Sequence, residues 1–231
     1  RQSDGSYRLE ERAADVALTT MRVEADWVQE TATGPVDGYV ATRSATGTKT
    51  DTPLNEVPQS ISVITSDEVE ARGAQSIGDT LNYTAGVIGH SNGLDPRRDF
   101  ISIRGFGGTE YFYRDGLRLT GFNNQGRTVS EPYGFERIEV LRGPSSVLYG
   151  QGGPGGIVNL ISKKPTEIPQ GEVRVSTGGN DHHQVNTDVS GYLDDQGELK
   201  YRFVGLLRDA NAEIDYTKND RTYLAPSFSW I

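Results

Sequence analysis

One glycine run fits a catalytic fingerprint: Gly150 to Gly155, "GQGGPG", satisfies G-x-G-x-x-G. In a dinucleotide site those glycines open a helix whose N-terminus faces the pyrophosphate. Here Pro154 sits inside the motif, and the "IVNLIS" that follows is β-branched and strand-like. Glycines in that setting supply positive φ and close backbone approach in a compact loop. The histidines are His90, His182 and His183. The His182-His183 pair falls in a turn between two strand-like runs, where solvated side chains are the ordinary reading and a metal site the alternative. With no cysteine, disulfides and thiolate metal sites are excluded. No Ser/His/Asp set or paired-carboxylate constellation stands out, and Asp194-Asp195 reads as a turn. We therefore expect neither an enzyme nor a resident metal. The remaining chemistry lies in Tyr111, Phe112, Tyr113 and Phe122, set near Arg97, Arg98 and Arg114 around glycine-rich loops. They could pack a sheet. Exposed on loops, they would suit a bulky, anionic or neutral metal chelate.

The elements that must carry these residues are short. Of 231 residues, 28 are Gly and 34% are apolar, a composition of turns and short strands rather than long helices. The net charge of −9 argues against a nucleic-acid partner. No run of 18 apolar residues exists, so no transmembrane helix is expected, whereas barrel strands stay weak in hydropathy. The chain opens on Arg with no charged and apolar leader pattern, so we expect a processed or excerpted piece.

Asp15 to Glu24 reads as extended and β-prone, and Asp26 to Thr50, rich in Thr, Ala, Gly and Ser, as a flexible linker. Order is expected from Val57: a strand over Pro58 to Thr65, then a helix N-capped by Ser66 and ended by Gly73. A second helix should run from Ser76 to Tyr83 and stop at Gly86. In Glu136 to Leu141, Ile138 and Val140 alternate with charged neighbours, a half-buried strand signature. Asp115-Gly116 is a tight-turn signal. From Gly171 onward four segments of roughly ten residues have period 2. They set Val173, Val175, Val185, Phe203, Leu207, Leu224, Phe228 and Trp230 against polar neighbours such as Lys200 and Arg202. That is the pattern of transmembrane β-barrel strands, apolar toward lipid and polar toward the lumen; a soluble antiparallel sheet with one wet face is the alternative.

"IRGF" (Ile103 to Phe106), "YRDGLR" (Tyr113 to Arg118) and the long block "EPYGFERIEVLRGPSSVLYGQGGPGGIVNLISKKP" (Glu131 to Pro165) resemble TonB-dependent outer-membrane siderophore receptors. "TKTDTPLNEVPQSISVIT" (Thr48 to Thr65) is similar to the opening of their plug domain. Within the family, "ISIRGF" with "YRDGLR" is most like the ferrichrome and hydroxamate branch.

The resemblance implies an α/β plug, a small mixed sheet with short helices, followed by the first antiparallel strands of a barrel of about 22 strands. It divides the chain into residues 1–14, the tail of an upstream periplasmic signalling domain; 15–50, TonB box and linker; 51–168, plug; and 169–231, about four barrel strands. An open sheet cannot span a bilayer, because its edges leave backbone groups unpaired in hydrocarbon. The chain is therefore expected to be an excerpt of a longer one.

The implied role is import of a ferric siderophore from the outer membrane, plug and N-terminus facing the periplasm, driven by TonB and without a cofactor. An anti-sigma regulator is a further implied partner, through the signalling domain. The TonB box matches Thr19, Thr20, Met21, Arg22, Val23, Glu24 and Ala25, a β-prone stretch able to join a sheet edge by main-chain bonds. Arg104 and Arg142 match plug arginines that pair with barrel glutamates; in this segment they should be solvated or locally paired, for example with Glu139. The plug-apex ligand residues fall on His90, Arg97, Arg98, Tyr111, Tyr113, Phe122 and Asn123. A same-fold receptor for haem, cobalamin or another cargo is the first alternative. A soluble nucleotide-binding enzyme, which requires a helix after Gly156, is the second.

Overall fold

The structure, a computed structural model, describes residues 30–108, 111–119 and 129–230. In chain order the N-terminal body contains β1 (Arg43–Ser44), β2 (Thr52–Pro53), β3 (Ser60–Thr65), α1 (Ser66–Ala71), α2 (Ile77–Leu81), β4 (Val87–Ile88) and β5 (Ile101–Ile103). It continues with β6 (Phe106–Gly108), β7 (Phe112–Arg114), β8 (Leu117–Arg118), β9 (Phe135–Arg142), α3 (Ser146–Tyr149) and β10 (Gly156–Ser162). Then come β11 (Gln170–Gly178), β12 (His182–Tyr192), β13 (Leu199–Asp209) and β14 (Arg221–Trp230). The central sheet has the order β3-β9-β10-β7-β8; only β10 and β7 run parallel. Strands β4-β5-β6 form a second small sheet, and β11 to β14 a four-stranded antiparallel meander.

Local chemistry sets the element ends. Thr65, not Ser66, caps α1: its hydroxyl accepts from the Glu68 amide, and Asp67 and Glu68 sit in the first turn. Gly73, at φ +61°, ends that helix. Ser76 and Asp79 form a reciprocal capping box on α2. Asp115 and Gly116 both have positive φ and close the β7–β8 hairpin.

Strand β9 departs from the half-buried expectation, because both of its faces are covered. Ile138 and Val140 pack with Ile77, Leu81, Val158 and Leu160 in the main core. The opposite face carries Arg137 and Glu139, both wholly buried beneath residues 30–50. That segment was expected as linker; residues 30–50 are instead laid across the sheet, with Ser44 and Thr46 buried and β1 paired to β2. Its many Thr and Ser residues supply the hydroxyls and carbonyls that a buried ion pair requires, so composition alone misread it.

The glycine loop also finds its reason here. Gly156 begins a strand, so the helix required by a nucleotide site is absent at that position. A Cβ on Gly153 would enter the Tyr111 ring, one on Gly155 the Ile103 carbonyl, and one on Gly156 the Leu141 carbonyl. Gly156 also has φ +137°. Gly156→Ala is expected to cost about 1–3 kcal/mol of stability, read as a lowered urea midpoint at unchanged slope. Gly171→Ala, where a Cβ meets open space, should move it little.

In the meander the period-2 pattern is realised with the polar side inward. Lys200, Arg202 and Arg208 are buried against the N-terminal body, while Leu207, Leu224, Phe228 and Trp230 are bare, Trp230 at 81% exposure. A soluble sheet buries its apolar face. The inverse arrangement is that of a barrel wall facing lipid.

Candidate binding site

The expected ligand residues separate into two groups. His90, Arg97 and Arg98 share the loop from His90 to Phe100, between β4 and β5. Arg97 is splayed outward, Nε 2.8 Å and Nη2 2.9 Å from the two carboxylate oxygens of Asp95. This fork holds the Asp95 carboxyl down at about 2. The Arg98 guanidinium lies 5.8 Å from the Phe100 ring centroid. His90 Nε2 is 2.8 Å from Asp79 Oδ1, on the first turn of α2. Arg221 of β14 donates to the Pro96 carbonyl at 3.2 Å, joining this loop to the meander.

Tyr111 and Tyr113 are not loop contacts. They are 3% and 1% exposed, Tyr111 packed against Gly153 and Tyr113 edge-on to Tyr149 at 5.0 Å. Both faces of the chain are covered here, Phe112 between them being buried as well, so as placed neither ring contributes to an exposed ligand surface. Phe122, Asn123 and residues 19–25 lie outside the described residues.

Two groups in the loop titrate with the same sign. The Asp79 hydrogen bond raises the His90 pKa, and burial raises that of Asp99 to about 6. Each folded pKa lies above its unfolded value. The stabilisation is therefore complete below about 6.5 for His90 and about 4 for Asp99. It is lost as pH rises through the raised values, about 6 for Asp99. Amide exchange over residues 90–99 should speed up across that window. Asp99→Asn and His90→Gln should each flatten part of the profile.

Sequence reasoning placed the paired charges at Arg104 and Arg142. Arg104 is exposed at φ +53°. Arg142 donates to the Ala85 carbonyl at 2.7 Å and to Ser60 Oγ and Ser62 Oγ at 3.0 and 2.6 Å. Burial, with Arg104 nearby, lowers its pKa. Among the described residues neither arginine has a carboxylate partner. Glu139 is unavailable to Arg142 because three residues along a strand is the opposite face. Its partner is Arg137, two residues away on the same face, Nη1 to Oε1 3.6 Å.

The body and the meander are joined mainly by charges of the opposite polarity, carboxylates on the body and arginines on the strands, with Lys163–Asp188 running the other way. Arg202 grips Asp188 with Nε and Nη2, each at 2.8 Å, and Glu136 with Nη1 at 2.9 Å. Lys163 Nζ reaches Asp188 Oδ2 at 2.9 Å. Glu131 faces Arg208 at 3.4 Å and Arg221 at 3.8 Å. Tyr223 packs on Gly134, where a side chain would collide with its ring. The signal for these contacts was present in the inward Arg202 and Arg208 of β13, facing Glu136 and Glu131 of the Glu131 to Pro165 block.

A mixed α/β body clamped to strands that bare their apolar face is matched by known proteins. Residues 53–157 match the family described as TonB-dependent Receptor Plug Domain. The chain carries the plug domain of a TonB-dependent receptor. It is 44% identical over 87% of its length to the ferrichrome outer membrane transporter/phage receptor of Escherichia coli, covering 27% of that protein. It is 41% identical over 79% of its length to the ferrioxamine B receptor of Salmonella typhimurium, covering 26% of it. Among solved structures, the pyoverdine outer membrane receptor FpvA of Pseudomonas aeruginosa bound to pyoverdine superposes with a TM-score of 0.70. That match has 33% identity over 77% of this chain and 26% of FpvA. The chain thus spans about a quarter of the length of the curated relatives it matches. The N-terminal body is the plug, and β11 to β14 are barrel strands.

Proposed function

We propose that this segment belongs to an outer-membrane receptor that binds a ferric siderophore, of the hydroxamate class, and imports it with energy delivered by TonB. The observation that carries the reading is the inverted meander: buried arginines holding a plug, and an apolar face bare. Such a wall belongs in lipid, and a plug inside it belongs to a gated passage. The named relatives take ferrichrome and ferrioxamine B, which supports the hydroxamate class.

In this reading the loop of His90, Arg97 and Arg98 faces outward, and Phe122 and Asn123 join it at the plug apex. The N-terminus faces the periplasm, where Thr19 to Ala25 joins TonB as an added strand. An anti-sigma regulator is a further partner through an upstream signalling domain. No bond is made or broken, so the receptor is not an enzyme, and iron passes as the chelate rather than as a cofactor. The test is titration of a full-length receptor carrying this segment, in detergent, with ferric hydroxamates, ferric catecholates and haem, followed by intrinsic fluorescence. Saturable sub-micromolar binding of a hydroxamate is expected. Tight binding of haem alone would transfer the assignment to another cargo.

A further inference from the structure

The loop from His90 to Phe100 is held in two different ways along its length. At its start the backbone is pressed onto α2: a Cβ on Gly89 would strike the Gly78 carbonyl, and one on Gly78 the His90 ring. Glycine is the residue that allows so close an approach. His90 adds its contact to Asp79, whose other oxygen accepts from the Gln75 and Ser76 amides. Farther along, the loop faces a gap. A cavity of about 290 Å³ is lined by Pro96 and Asp99 of the loop and by Asn211, Glu213 and Asn219 of the turn between β13 and β14.

Across a gap, polar contacts rather than packing set the spacing of loop and wall. Arg221, the first residue of β14, supplies them. Its Nη2 donates to the Pro96 carbonyl at 3.2 Å, its Nε lies 3.8 Å from the buried Glu131 carboxylate, and its charge acts on Asp99. Asp99 is buried and accepts from the Ser130 amide at 3.2 Å. Ser130 follows the plug segment that carries Phe122 and Asn123. One wall arginine therefore stands against both plug segments expected to hold ligand. The wall grips the far side of the same region too. Asn219 donates to Gln75 Oε1 at 3.1 Å and Arg208 to the Gln75 carbonyl at 3.4 Å, next to the α2 cap that pairs with His90.

We propose that Arg221 is a positioning residue for ligand binding: from the barrel wall it holds the plug's ligand loop in its binding-competent place, and so sets the affinity for the ferric chelate without touching it. The inference rests on the siderophore reading and names a wall residue that controls affinity within it. A loop in place for only part of the time weakens apparent affinity by that fraction, and holding it beforehand removes the loss. The maximal rate of import, reached when chelate saturates the receptor, does not depend on that fraction.

The test uses a full-length receptor carrying this segment, with a ferric trihydroxamate as probe. Arg221→Met leaves Glu131 its other cation, Arg208, so the fold should persist. Surface binding should weaken about fivefold through the lost loop position. The concentration for half-maximal import should rise by the same factor, with maximal import within twofold of wild type. Arg221→Lys keeps a cation where the guanidinium makes no two-pronged pair, and should restore binding to within twofold. Lys218→Met, in the neighbouring turn, removes only an exposed contact to Asp209 at 3.9 Å and should leave binding unchanged. Without any chelate, amide exchange over residues 90–99 should be faster in Arg221→Met than in the other proteins. Wild-type exchange and affinity in Arg221→Met would overturn the inference. So would a fall in maximal import with affinity intact, which would make Arg221 a fastening of the plug and nothing more. If the wild-type receptor binds no ferric chelate, the siderophore reading falls and the inference with it; binding to the wild type alone reports that outcome.

Discussion

Arg137→Met is expected to destabilise the plug by about 3–5 kcal/mol, because it leaves the Glu139 carboxylate buried without its cation. Arg137 is wholly buried and donates to three main-chain carbonyls: Arg43 and Gly34 at 2.8 Å and Thr31 at 3.0 Å. Glu139 accepts from Ser44 at 2.6 Å and from Thr46. The pair therefore fastens residues 31–46 across β9. Loss of the arginine should free that strip first, so amide protection over residues 31–46 should collapse before the core around Ile77 and Val158 responds. Glu139→Gln should cost less. Burial, outweighing Ser44, Thr46 and Arg137, already pushes this carboxyl above its ordinary range. Its folded pKa is raised, so its contribution is complete below about 4.5 and lost as pH rises. A neutral amide keeps an acceptor and removes that dependence. Equal losses of urea midpoint in the two variants would contradict this ordering.

Arg202→Met should have an effect of similar size, about 3–5 kcal/mol, but on the union of plug and wall. It would strand two buried carboxylates, Glu136 and Asp188, of which only Asp188 keeps a cation, Lys163. The expected phenotype is a loosened plug: raised conductance of the full-length receptor in planar bilayers and increased sensitivity of cells to large antibiotics. Glu136→Gln/Asp188→Asn/Arg202→Met removes the stranded charges together and should recover much of the seal. Conductance unchanged in Arg202→Met would show that these contacts do not hold the plug.

Much of this architecture was legible because local signals agreed with global ones. Ser76 with Asp79, Asp115-Gly116 and the period-2 runs each specify their element by chemistry confined to a few residues. Alternation gave which side chains of β13 and β14 share a face, but not which face turns outward, since a soluble sheet would bury the apolar one. What sequence could not supply was pairing across long separations. Glu139 meets Ser44 over 95 residues and Arg137 meets Thr31 over 106. No local pattern distinguishes a serine- and threonine-rich linker from a strip that satisfies a buried ion pair.

The binding residues divided for a related reason. Tyr111 and Tyr113 look like loop aromatics in sequence, yet Gly153 offers a surface with no side chain against which the Tyr111 ring packs inward. Arg97, with neighbours that turn it toward solvent, stayed where its charge suggested. The lock at Arg104 and Arg142 rests on resemblance; most of the charges that join these two bodies are the reverse, glutamates on the plug and arginines on the strands, while Lys163 on Asp188 keeps the expected polarity at another position.

The most direct test of the whole account is uptake of a radioiron-labelled ferric hydroxamate by cells expressing a full-length receptor that carries this segment, compared with the same receptor lacking residues 19–25. The account predicts unchanged binding at the surface and import reduced to background in the deletion. Import at the intact rate without those residues, or no bound chelate in either strain, would contradict it.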